Sequence, residues 1–369
     1  MTGVFFRLCA QEACPAASEK KTTWLKISYN GSQTGPKFPA AELRAVRSVQ
    51  DSLIALVRKA YPQPKGVEAK PFAVNLIDFT DYPNEPANSP LHYQANVNFK
   101  GYFCIGDKVF LGDETGTWIK FHINTLSDFM NPLNEKLQLP DNKPLFFQPE
   151  LIGKFQDYSV YTPFNGFSNL TIENIIISRP DYSPFKPVNM EELLKACIRY
   201  LDSQTAQYHK DNQELRNALA QTIAFAQKIN FKTPEERANY IQEQKKNVED
   251  GEKQRGEIAG AFLDNKQIII DYLNELGPER RKMQAYCQDP FETFLSGKSI
   301  PSYEQLKATG RPIACYNYFI LPKGSAKGAA KFIQLELRWE NDDYSLAKKQ
   351  MIEKFKRDIK LSDVAGLLR

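Results

Sequence analysis

Between Asn189 and Gly277 the chain carries two helix-opening signals separated by one short turn, and this stretch constrains its fold more than any other. Asn189-Met-Glu-Glu192 sets a capping side chain three residues ahead of a Glu, so each can satisfy a backbone N–H that the first turn leaves open. Met190, Leu194, Cys197, Ile198 and Leu201 follow at helical spacing, and the pattern resumes through Leu215, Leu219, Thr222, Phe225 and Ile229. The spacing predicts up to about 40 residues of helix, in one piece or two collinear ones. Thr233-Pro-Glu-Glu236 opens a second helix with Pro at its first position, and Gly277-Pro278 ends it. So short a turn makes the two helices antiparallel.

Folding this hairpin about Lys232 sets 194–201 opposite 262–270, both apolar, and 202–214 opposite 250–260, both polar. The hairpin therefore has an apolar base, a polar waist and an apolar tip. Gly251 and Gly256 weaken the waist, which predicts a bend or break there. The tip, with Leu219, Ile223, Phe225, Ala238 and Ile241, either seals on itself or offers a surface to a partner.

Strand patterns flank the hairpin. Residues 23–29 alternate, and 40–61 repeat apolar residues at three- and four-residue spacing, an amphipathic helix stopped by Pro62 and Pro64. A second strand is expected over 72–79. The clearest alternation sets Tyr93, Ala95, Val97 and Phe99 on one face and His92, Gln94, Asn96 and Asn98 on the other, one face core and the other wet. Gly106-Asp107 and 112–116 are short connections, so 93–124 should form an antiparallel meander. Further strands are expected at 155–161, 170–178, 314–321 and 332–339, with a short helix after Pro301 and a last helix over 343–359. The late strands either join the N-terminal sheet or build a small one beside it. The fold class is α+β, mainly antiparallel sheet regions with a long antiparallel helical hairpin inserted between them. The divisions are 1–21 as a leader remnant and flexible N-terminus, 22–188 as a strand-rich region, 189–277 as the hairpin, and 278–369 packing on the N-terminal region.

A formal charge of +4 over 369 residues is too weak for a nucleic-acid binder. The basic stretch 348–360 alternates with apolar residues as a solvated helix face does. No apolar run is long enough to span a bilayer. Gly3-Val-Phe-Phe-Arg-Leu-Cys-Ala-Gln reads as the tail of a secretory signal peptide cut near Ala10, or as an ordinary frayed N-terminus. Export, to a periplasm or the exterior, is the expectation. Among the six cysteines no CxxC or zinc spacing occurs. If the compartment is oxidising, Cys287 and Cys315 are the preferred pair; the other reading is buried free thiols.

Catalytic machinery is sparse. His92, His122 and His209 are isolated from one another and from metal-binding spacing, and the first two fall on polar strand phases, which predicts surface or groove positions. Lys323-Gly-Ser-Ala-Lys-Gly-Ala-Ala-Lys331 looks like a phosphate loop but lacks the GK[ST] ending and precedes a strand, so a flexible loop is expected.

Val109-Phe-Leu-Gly-Asp113-Glu-Thr-Gly-Thr117 resembles the aspartyl-phosphate motif of the haloacid dehalogenase superfamily. That resemblance implies Asp113 as nucleophile, Ser178 as a phosphate contact, and Asp342 and Asp343 as Mg²⁺ ligands. Glu114 stands where the superfamily has Lys, and the superfamily needs a parallel sheet, whereas the strand here belongs to an expected antiparallel meander. An Asp-Glu-Thr-Gly β-turn accounts for the same letters. A second resemblance runs through Tyr182-Ser-Pro-Phe-Lys-Pro-Val-Asn-Met-Glu-Glu, Gly277-Pro-Glu-Arg-Arg-Lys-Met-Gln-Ala-Tyr286, and Tyr318-Phe-Ile-Leu-Pro-Lys with Phe332-Ile-Gln-Leu. Together with the leader-like start these are similar to uncharacterised exported bacterial proteins, which implies export and supplies no site. The expected function is non-enzymatic binding of a protein partner or small ligand, with no cofactor, no metal and no nucleic acid. The alternative is an Mg²⁺-dependent phosphohydrolase using Asp113.

Overall fold

The computed structural model describes residues 15–30, 40–74, 89–112, 116–126, 133, 136–140, 143–162, 170–323, 325–340 and 346–368. In chain order it runs α1 (Pro15–Ser18), β1 (Ser28–Asn30), α2 (Ala40–Ala60), β2 (Val67–Val74), β3 (Tyr93–Ile105), β4 (Lys108–Leu111), β5 (Trp118–Ile123) and β6 (Leu145–Phe147). Next come β7 (Glu150–Phe155), β8 (Tyr158–Thr162), β9 (Leu170–Ser178), β10 (Phe185–Pro187), α3 (Met190–Ala226), α4 (Pro234–Glu275), α5 (Gly277–Arg281) and β11 (Tyr286–Cys287). A π-helical turn (Phe291–Leu295) precedes α6 (Tyr303–Thr309), β12 (Arg311–Tyr316), β13 (Phe332–Glu340), α7 (Leu346–Asp358) and α8 (Leu361–Ala365). The fold is α+β, with α3 and α4 packed as a helical pair. Two compact units divide the chain, one of Met1–Asn131, Pro149–Lys186 and Tyr316–Arg369, the other of Pro132–Gln148 and Pro187–Cys315.

The first unit is built on a nine-stranded sheet in the order β1-β2-β3-β5-β13-β9-β8-β7, with β4 paired to β3. Among its described ladders only β1 with β2 is parallel. The late strand β13 joins the early sheet at its centre, Leu335 facing Phe121 of β5 on one side and Ile175 of β9 on the other. Alternation aims Val97, Phe99, Phe121, Ile123, Ile175, Leu335 and Leu337 at one face, where Leu53 and Val57 of α2, Phe355 of α7 and Leu361 of α8 bury them. Each such side chain contributes about 1.5–3 kcal/mol on burial.

Two expectations change in the strands. The meander closes differently, because β5 pairs the first half of β3 and β4 the second half, so β5 never follows β4 across the sheet. The expected strand at 155–161 is a hairpin: Gln156 and Asp157 take φ of 48° and 70°, the conformation a two-residue turn requires. Gln156 is held there by donating to the Ile359 carbonyl at 2.8 Å and accepting the Leu361 N–H at 2.9 Å. The strand expected over 72–79 is β2, shifted to Val67–Val74; residues 75–79 lie outside the described residues.

In the second unit both helix caps form as their sequences specify. Asn189 Oδ1 accepts the Glu192 N–H at 2.9 Å while Glu192 returns to the Asn189 N–H at 3.0 Å, and Thr233 Oγ1 accepts the Glu236 N–H at 3.1 Å. α3 runs 37 residues and α4 runs 42, each unbroken, so the expected break at Gly251 and Gly256 is absent. A glycine costs a helix interior only about 1 kcal/mol, and cross-helix tethers on both sides hold the turn. The base packs Leu194, Cys197 and Leu201 with Ile269 and Tyr272, together with Phe294, Leu306 and Ile313. Residues 278–315 thus belong with the hairpin, not with the N-terminal region as expected. Their strands β11 and β12 form a small sheet in the order β10-β12-β11, with β6 also on β12.

Candidate functional site

The face of the large sheet opposite the apolar core was expected to be wet, and at its centre it is not. Asn96, His122, Asn174, Gln334 and Glu336 are each 5% exposed or less. The ladders align Gln94, His122 and Gln334 in one row and Asn96, Lys120, Glu336 and Asn174 in the next. These residues leave water by satisfying one another.

His122 is the hub. Its Nδ1 meets Gln94 Nε2 and its Nε2 meets Glu336 Oε2, both at 3.0 Å. Gln94 Oε1 already accepts from Asn96 Nδ2 at 3.3 Å, so Gln94 offers its N–H to His122. The imidazole then carries its proton on Nε2 and donates it to Glu336. Glu336 accepts a second bond from Trp118 Nε1 at 2.6 Å. Burial alone would raise the Glu336 pKa, but the His122 N–H, the Lys120 charge and the Trp118 N–H outweigh it and bring it down to about 2. Lys120 Nζ lies 4.5 Å and the Arg338 guanidinium 4.0 Å from the Trp118 ring centroid.

The carboxylate has a donor on each oxygen, and the imidazole is engaged at both nitrogens by neighbours in the same layer. The cluster is a charge-compensated polar layer. Two acceptors in it, Asn96 Oδ1 and Gln334 Oε1, are buried without a partner, each costing about 1–3 kcal/mol if left dry. His92 is likewise buried, against the expected surface position, while His209 is exposed on α3.

The phosphate-loop lookalike is pinned rather than flexible. Its Lys327 and Gly328 N–H groups donate to the Glu42 carboxylate of α2 at 3.1 and 2.7 Å, and the Gly328 carbonyl accepts Tyr93 Oη at 2.9 Å. Asn124 Nδ2 holds the Ala329 carbonyl at 2.9 Å. An internal carboxylate thus occupies the backbone donors that would have cradled an anion.

Of the aspartyl-phosphate residues, Asp113, Asp342 and Asp343 lie outside the described residues. Ser178 ends β9 and donates its hydroxyl to the Tyr182 carbonyl at 2.8 Å. β4, which leads into the motif, is antiparallel to β3, and β9 is antiparallel to both its neighbours. The parallel scaffold that the superfamily resemblance requires is therefore missing at both strands. Cys287 and Cys315 are buried and neither is in a disulfide, so the preferred pair does not form. The ladder explains why: Cys287 faces Arg311, four residues before Cys315 on the same strand. Cys104 is disulfide-bonded.

The hairpin's waist is polar and closed. Lys266 Nζ reaches Asp202 Oδ1 at 2.6 Å, Arg216 grips Glu252 through Nε and Nη2 at 2.5 and 3.1 Å, and Arg255 donates to Asn212 at 3.3 Å. Tyr208 and Phe262 pack at 5.8 Å between ring centroids. Between residues 202 and 258 Ala226 is the one buried residue. At the tip Phe231 packs on Tyr240 at 5.6 Å with Arg237 over its ring, while Phe225 stays 64% exposed. Part of the tip therefore seals and part faces outward.

No family model, curated protein or solved structure matches this chain. Among the described residues no cluster of metal-ligating side chains occurs, and no helix is long and apolar enough to cross a membrane.

Proposed function

We propose that the chain is an exported, non-enzymatic protein that binds a protein partner through the distal end of its helical hairpin. One observation carries this reading: residues 202–258 bury almost nothing, yet cross-helix ion pairs order them and their end presents Phe225 to solvent. Two helices of this length extend roughly 55–63 Å at 1.5 Å per residue. Helical segments that bury no core, as 202–258 do, draw their stability from each other, and a large exposed aromatic at their end is an anchor of the kind that dominates protein interfaces. The disulfide at Cys104 supports export, since such bonds persist in oxidising compartments. The fully engaged His122–Glu336 pair and the antiparallel strands around the aspartyl motif favour binding over hydrolysis.

A photo-crosslinking residue placed at Phe225 in the native host tests the proposal, with the same residue at the solvent-facing Lys253 as control. A discrete adduct at Phe225, absent at Lys253 and lost on competition with unlabelled protein, is expected. Equal or absent adducts at the two positions would sink the reading.

A further inference from the structure

The outer face of α3's distal half carries a pattern that is complementary to itself. Asp211, Glu214, Ala218, Gln221, Phe225 and Lys228 recur at alternating three- and four-residue steps, the spacing of a coiled-coil seam. On a helix such positions form one stripe, and Lys228, just past the last helical residue Ala226, continues the turn by donating its N–H to the Phe225 carbonyl at 2.9 Å. α4 packs elsewhere: Phe262, Arg255 and Glu252 meet Tyr208, Asn212 and Arg216, on the far side of α3 from the stripe. Glu214, Ala218, Gln221, Phe225 and Lys228 are all exposed.

Charge selects the occupant. No charged residue lies between Arg216 and Lys228, and the exposed positions there include Ala218, Ala220, Ala224 and Phe225, so the centre of the stripe is apolar. Its ends carry opposite signs, Asp211 and Glu214 toward the base and Lys228 at the tip. A second α3 laid parallel would set acid on acid and lysine on lysine. Laid antiparallel, with a two-fold axis between Ala218 and Gln221, it brings Asp211 of each copy opposite Lys228 of the other. Phe225 of each then lies over the turn from Glu214 to Ala218 of the other, where the alanine leaves room for the ring. Exposed ion pairs add little affinity, so the charges select the antiparallel direction and the desolvated ring supplies the attraction. Within one chain Asp211 accepts from Gln207 at 2.7 Å and Glu214 faces the Lys210 ammonium at 3.7 Å, exposed local contacts that a partner can share.

We infer that the partner at the hairpin's distal end is a second copy of this chain, docked antiparallel along α3 to give a four-helix assembly of two hairpins. The inference rests on the distal binding proposed above and names its partner.

Sedimentation velocity of the purified full-length chain over a concentration series tests it. Wild type is expected to form a concentration-dependent dimer and Phe225→Asp to remain a monomer. Asp211→Lys, which sets lysine against lysine, should weaken the dimer, and adding Lys228→Asp to it should restore the pair with its signs exchanged and recover association. A wild-type monomer at every concentration, or a dimer indifferent to Phe225→Asp and to the charge reversals, overturns the assignment. The photo-crosslink at Phe225 separates this inference from the reading beneath it. An adduct at twice the chain mass supports the second copy, an adduct to a different protein overturns it and leaves distal binding standing, and no adduct removes both.

Discussion

His122 donates its Nε2 proton to Glu336 at 3.0 Å across adjacent strands that lie more than two hundred residues apart in sequence, and neither side chain meets solvent appreciably. β5 and β13 come together only because the strand beyond the hairpin returns to the middle of the N-terminal sheet. The polar layer therefore marks correct insertion of β13. A strand slipped by one residue would turn Glu336 into the apolar core and leave His122 facing Ile333 or Leu335.

Acid should weaken the first unit through this carboxylate. Glu336 is held at about 2, below its ordinary 4.5, so its contribution is fully present above pH 4.5 and fades as pH falls toward 2. The expected loss over that window is about 3 kcal/mol. Chemical denaturation at stepped pH, compared between wild type and Glu336→Gln, checks this: the variant should be less stable at neutral pH and show a shallower acid limb. Parallel acid limbs for the two proteins would refute the assignment.

Glu42 should matter more than its place in the first turn of α2 suggests. Its carboxylate receives the Lys327 and Gly328 N–H groups, and truncation leaves both without their acceptor. Glu42→Ala is expected to cost about 1–3 kcal/mol and to speed amide exchange at Lys327 and Gly328, while Glu42→Gln, which keeps an acceptor oxygen, should recover part of the loss. Hydrogen exchange read by mass spectrometry over 323–331 distinguishes this from a general loosening, because exchange in α3 and α4 should not change.

Helices and caps were legible because their determinants are local: Asn189 finds Glu192 three residues away whatever the rest of the chain does. The alternation of β3 was legible for the same reason. What alternation cannot convey is whether the polar phase meets water or another polar row. Asn96 and His122 read as wet or surface positions, and only the long-range order β3-β5-β13-β9 turns them, with Gln334, into a buried layer. Glu336 carried no motif, and the one sign available was a strand whose polar residues are as large and regular as its apolar ones. The 323–331 loop misled differently: its glycines and alanines suggested freedom, while Glu42, far upstream, supplies the anchor.

Gly256 should be replaceable with profit to the hairpin. It lies inside α4 and a Cβ built on it meets nothing within 4 Å. Gly256→Ala is expected to stabilise α4 by about 0.5–1 kcal/mol and to slow amide exchange through the waist. Arg216→Ala on the same arm removes an exposed, solvent-screened pair with Glu252 and should change stability little. Residue-resolved hydrogen exchange checks both. Faster exchange in Gly256→Ala would mean that the waist needs glycine for a reason other than helix stability, and the tip's partner would then have to be sought along the waist as well.

The thiols of the second unit provide a test of its core that does not depend on stability. Burial pushes the Cys287 thiol up to about 12, with the Asp289 charge adding to the effect, and raises Cys197 further. Thiolate is the reactive form, so neither should react with an alkylating reagent at pH 8 while the unit is folded. Cys315, fully buried on β12 in the same core, should be shielded from reagent by that packing. Intact-mass analysis is expected to find all three unmodified in native protein and alkylated together once denaturant opens the unit, since they lie in one core. If Cys287 reacts ahead of Cys197, the segment around β11 opens before the hairpin base does. The base would then remain folded without it, and 278–315 would be a separable layer on the hairpin instead of part of one cooperative unit.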